Sequence, residues 1–209
     1  MLARMLIVVL VGLMALPLGA GTPVAEAKSR KKTVVRTFTS TAPISLPGSG
    51  PANPYPAPIT VKGLKKGKIL DVNVILNGFS YDVPDDIDVL LAASHLPGRN
   101  AIIMSDVGGA QAVNNITLTL DDAAANALPD NGPLTSGTFR PTNIDSGIPD
   151  SFPAPAPTPS GNSLLSVFNG ENPNGEWQLF INDAPGKGPG SLSGGWTLEI
   201  TAKVKKKRK

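Results

Sequence analysis

The chain has 209 residues, room for one sizeable core plus extensions, and carries no cysteine and a single histidine. Disulfide staples and cysteine–histidine zinc sites are therefore excluded. The 22 glycines and 21 prolines argue for short strands and long turns, and the net charge of +3 hides cations gathered at the two ends.

Arg4 precedes an apolar run from Met5 to Leu18, and Ala25-Glu26-Ala27 follows as a small-residue cleavage site. The pattern predicts a secretory signal peptide over residues 1–27, cut after Ala27, with a secreted or cell-surface product. The run is short for a membrane span and is broken by Gly12 and Pro17, so no transmembrane segment is expected after cleavage. Residues 28–57 form a basic and then Pro-rich segment: Lys28, Arg30, Lys31 and Lys32 lead into the β-branched run Thr33–Thr41, a possible first strand. Six prolines between Pro43 and Pro58 then read as an extended connection.

Ile59-Thr60-Val61 leads to a basic turn, Lys62–Lys68. From Ile69 the alternation predicts a strand with Leu70, Val72, Val74 and Leu76 on one face, ended by a turn at Asn77-Gly78. Further strands are expected at Ile87–Leu91, Ala101–Ser105 and Ile116–Leu120. Asp121–Leu128, DDAAANAL, reads as one or two helical turns capped by Asp121. Residues 144–162 include SFPAPAPTPSGN, whose alternating prolines impose polyproline-like extension; an exposed loop inside the domain is expected.

Glu171–Thr201 holds the chain's two tryptophans, each opening an alternating run. Trp177, Leu179 and Ile181 share one face, as do Trp196, Leu198 and Ile200. Two paired strands are expected, with Trp177, Leu179, Trp196 and Leu198 in a common core. The tally is an all-β, antiparallel jelly-roll-like sandwich of about eight strands over residues 58–202, closed by a basic tail at 203–209.

The segment NPNGEWQLFINDAP…GSLSGGWTLEIT resembles the closing strands of the P domain (homo B domain) of subtilisin-like proprotein convertases. It is most similar to the modules of bacterial secreted proteins. Gly175, Trp177, Leu179, Asp183, Gly190, Trp196 and Leu198 carry the resemblance. Asp86–Leu91, Pro97-Gly98 and Thr135–Pro141 extend it, so that it covers about Pro58 to Ala202. Two departures stand out: Tyr81 sits where members often carry histidine, and the loop before Trp196 reads Lys187-Gly188-Pro189 rather than acidic. The resemblance implies an accessory module that stabilises or regulates a separate exported protease.

No catalytic constellation can be assembled: Gly-x-Ser-x-Gly is absent and His95 stands alone in a turn, so a surface loop histidine in a non-enzyme is expected. Asp86 and Asp88, with Asp121 and Asp122, are candidate calcium ligands, because hard cations take carboxylates at loops and strand ends and some P domains bind calcium. The competing readings are a solvated acidic turn, and Asp121 as a cap. The basic runs read either as solvated tails or, through Lys203–Lys209, as an anchor on an anionic cell-envelope surface. No aromatics are interleaved with them, which argues against nucleic acid. Possible partners are thus an exported protease, another secreted protein, or that surface.

Overall fold

The computed structural model describes residues 31–144, 149–183 and 188–206. The expected signal peptide, Lys28, Arg30, Lys187 and Lys207–Lys209 lie outside these residues. Thirteen strands form two mixed sheets packed face to face as a sandwich. In the first sheet, β1 (Lys31–Ser40) pairs with β13 (Trp196–Lys205), which pairs with β5 (Lys68–Tyr81). On its other side β5 meets β8 (Val113–Leu120), followed by β9 (Gly137–Phe139). Past the start of β13, β12 (Gly190–Leu192) joins β5 to β2 (Ile44–Leu46).

The second sheet runs β10 (Thr142–Asn143), β7 (Asn100–Ser105), β6 (Ile87–Ala93) and β11 (Gly175–Asp183). Beyond β11 lie β3 (Gly50–Pro51) and β4 (Ala57–Val61). Most pairs are antiparallel, but β10–β7 and β8–β9 are short parallel pairs. Residues 31–57 thus supply strands to both sheets, and the sandwich begins well before Pro58.

Trp177, Trp196, Leu179 and Leu198 are all buried in one core with Phe79 and Phe168. The two Trp strands are not paired with each other, contrary to the sequence reading. β11 lies in one sheet and β13 in the other, so the tryptophans meet the core from opposite walls. The long intervening segment, which includes β12, carries the chain across the sandwich rather than folding it back as a hairpin.

Three further expectations change for local reasons. Leu70 is 44% exposed while Ile69 is buried, because Thr201 opposes Asp71 and Ala202 opposes Ile69. Leu70 is the extra residue of a bulge, which resets the phase of the strand. Asn77-Gly78 does not end β5 either: Gly78 takes φ +68° inside the strand, where a Cβ would stand 2.2 Å from Ser193 Oγ. Asp121–Leu128 is a turn rather than a helix, with Asp121 Oδ1 accepting from Ala123 N. That local side-chain bond competes with helical pairing.

The Pro-rich run is packed, not free. Phe152 and Ala156 lie on the outer face of the second sheet, over Leu90, Ala92, Ile102 and Phe180. Tyr55 joins them, edge-on to Phe180 at 5.1 Å, with its hydroxyl donating to Pro153 O. The far end is tied by Asn100, which donates to Thr158 O and accepts from Ser160 N. A strap with few amide donors suits this position, because it lies flat on apolar side chains without leaving ladder groups unpaired. This cover explains why Leu90 and Phe180 are apolar on what would otherwise be a wet face.

Candidate functional site

Two clusters of charge stand out, one acidic and one basic. The acidic one forms where β6, β7, β10 and the strap converge. Asp88 and Ser105 fall opposite each other because Val89 opposes Met104. Asn143 is brought beside Ser105 by the parallel β10–β7 pair. Asp106 follows Ser105 at φ +52°, a left-handed conformation that Asp adopts more readily than most residues. Asp150, at the head of the strap, completes the group. Asp88, Asp106 and Asp150 each offer a carboxylate oxygen, all within 4.8 Å of one another.

At the centre is the fully buried Ser105. Its Oγ lies 2.6 Å from Asp88 Oδ1, 2.7 Å from Asp150 Oδ1 and 3.2 Å from Asp106 Oδ2. A serine hydroxyl has one proton to donate. The two shortest contacts can both be hydrogen bonds only if one carboxyl is protonated and donates back to Oγ. Burial, opposed by the Ser105 bond and reinforced by Asp150, Asp106 and Asp86, pushes the Asp88 carboxyl up to about 7. Asn143 Nδ2 donates to Asp150 Oδ2 at 3.0 Å, and Asn182, opposite Asp88 on β11, donates to Ser151 O. The leading end of the strap is therefore tied to this group. Chemically, three hard oxygen donors fit either a shared proton or a calcium ion.

Of the four sequence candidates, Asp88 is in the group and Asp86 acts on it through charge. Asp121 and Asp122 are elsewhere. Both oxygens of Asp122 accept backbone amides, from Leu165 and Ser166, and so cap the short 3-10 turn Leu165–Phe168. Nearby Asp71 is raised by burial first and then by Asp121 and Asp122. Asp150 had no local sequence signal, since nothing but tertiary packing brings it to Asp88. Asp183 serves the fold: it is buried and accepts from Tyr81 Oη at 2.5 Å and from Gly48 N at 2.9 Å. Burial raises its pKa against those two bonds. Tyr81 is thus a structural donor.

His95 is also structural, and half-buried rather than on the surface. Its ring nitrogens face Glu176 O and Asn172 O at 3.3 and 3.0 Å, and the ring is edge-on to Trp177. Gly175 makes room for it: a Cβ there would stand 2.2 Å from His95 Nδ1.

The basic cluster is built by strand pairing. Register sets Lys31 opposite Lys205 and Thr33 opposite Lys203, while Lys203 also opposes Lys68. Three basic runs far apart in sequence therefore converge at one pole. Lys203 and Lys205 belong to β13, so the expected tail starts as strand. Between β1, the end of β13 and the turn after β4 lies a groove of about 420 Å³. Val34, Leu64 and Val204 line it, with Lys32, Arg36, Lys65 and Lys205 around them. The ion pair found among the described residues, Arg99–Glu171 at 3.1 Å, involves none of these cations. No helix among the described residues is long and apolar enough to cross a membrane.

No protein-family model, curated protein or solved structure matches this chain.

Proposed function

We propose that the protein is an exported, non-catalytic binding module that attaches to an anionic cell-envelope surface through its basic pole. The observation that carries this reading is the convergence of Lys31, Lys32, Lys68, Lys203 and Lys205 at one end. Basic residues near an anionic surface contribute about 1 kcal/mol each, so several acting together give useful binding that salt screens away. The test is co-sedimentation of the chain with anionic and neutral phospholipid vesicles and with a phosphate-rich wall polymer across a salt series. Binding to the anionic targets falls steeply with salt and is lost on reversing Lys32, Lys65 and Lys205 to glutamate. Charge reversal is preferable to deleting residues 203–209, which would shorten β13 and unpair β1. Binding that ignores both salt and reversal would refute the reading.

A second reading follows from the resemblance: an accessory module acting on a separate subtilisin-like protease. Its support is that the resembling block folds as β11, β12 and β13, with both tryptophans in the core. It predicts recovery of one discrete protease from exported fractions, retained at high salt and indifferent to the lysine reversals. Calcium belongs with either reading as a structural ion on Asp88, Asp106 and Asp150, where it would neutralise the group and tie down the strap.

A further inference from the structure

Among the described residues, the end of the first sheet carries an unused ladder. β1 is ten residues long, contains no proline and pairs on one side only, with β13. The opposite end of that sheet, β9, has three residues. Among the described residues, no backbone group of another segment bonds to the outer edge of β1. A long open edge is a template for a further strand, and proteins usually shorten, cover or charge such edges.

The direction of the free groups can be read from one contact. Arg36 Nη1 donates to Val35 O at 2.8 Å, so the Val35 carbonyl faces the open edge. In an antiparallel pair the N–H and C=O of a residue point to the same side, and successive residues alternate. Thr33, Val35 and Thr37 therefore present both donor and acceptor outward, while Lys32, Val34 and Arg36 bond to β13. Agreement comes from the next pairing: Asn77 N donates to Gly195 O, the parity expected if odd-numbered residues of β13 face β5.

We propose that this edge takes an extended acidic segment of another protein as an added strand. Alternating donors and acceptors at strand spacing are matched by a second peptide backbone, whereas a phosphate polymer supplies acceptors without donors. Charge selects the segment. The strand bears Lys31, Lys32 and Arg36 and no acidic residue, and Lys65 and Lys205 flank the adjoining groove. On the inward face, Val34 lies between Lys32 and Arg36, so the guest reads acidic, apolar, acidic at alternate positions. The Arg36 guanidinium leaves the Val35 carbonyl when the guest amide arrives and pairs with a guest carboxylate.

The test uses a fluorescent, end-blocked probe peptide, Thr-Glu-Thr-Val-Thr-Glu-Thr, titrated with the whole chain. Saturable binding is expected, weakened about tenfold or more by N-methylating the probe's alternate amides or by replacing its Glu with Lys. Val35→Pro removes one outward N–H and no bond to β13, so it weakens the probe similarly while the melting temperature and far-ultraviolet spectrum persist. Arg36→Glu weakens it too and serves if the proline variant does not fold. Failure to bind, or equal binding by the N-methylated probe, overturns the proposal, as does inorganic polyphosphate competing fully with no effect of Val35→Pro. So does a chain that dimerises through β1 and excludes the probe. Val35→Pro keeps every cation, so its binding to anionic vesicles is unchanged, which separates this proposal from attachment through the pole.

Discussion

Replacing Asp88 with asparagine should stabilise the protein at alkaline pH and do little at acidic pH. The side chain keeps its size and can still accept from Ser105, but one of three crowded carboxylates loses its charge. The Asp88 pKa rises from 3.8 to about 7 on folding, so the folded state holds its proton more tightly than the unfolded chain. The sign follows: stability from the protonated group is complete below about pH 4 and is lost as pH rises to about 7, staying lost above that. The full shift corresponds to ~4 kcal/mol. Solvent screening at a partly exposed carboxylate reduces it to about 2 kcal/mol. In a chain of this size that is about 4–8 °C in melting temperature. The assay is thermal unfolding followed by circular dichroism, in chelator, from pH 4 to 8. Wild type should lose stability across this window more steeply than D88N, and D88N should melt higher at pH 8. Parallel curves, or a D88N variant destabilised at pH 8, would show that the group is not under charge stress.

Calcium should raise the wild-type melting temperature at pH 8 relative to chelator, because a ligand that binds only the folded state stabilises it, and D150N should abolish the shift. An unchanged melting temperature at saturating calcium would remove the ion from the site. Tyr55→Ala should cost about 2–4 kcal/mol and admit protease into residues 150–162, since it removes the Phe180 contact and the bond to Pro153 O, whereas Tyr55→Phe should cost only about 1 kcal/mol. Equal losses in chemical denaturation would contradict that division. Trp177→Phe should destabilise more than Trp196→Phe, because Trp177 Nε1 donates to Pro173 O while the buried Trp196 Nε1 has no partner among the described residues. Matched urea unfolding of the two variants checks the order.

Much of the sandwich was legible in the chain because alternating burial leaves a period of two: Ile87–Leu91, Ile116–Leu120 and both Trp runs are strands with the expected faces inward. The reading failed where burial did not follow simple alternation. A bulge at Leu70 shifted the phase, and Phe180 was buried on the second face by a strap that periodicity cannot foresee. Composition and pattern by themselves determined the all-β fold class and most of the core, including both tryptophans, because these depend on which residues avoid water. The tertiary structure alone decided that β11 and β13 face each other across the core, that Asp150 joins Asp88, and that three basic runs share one pole. Those are choices of partner between segments far apart in sequence, and local propensity carries no information about distant register or about the charges it brings together.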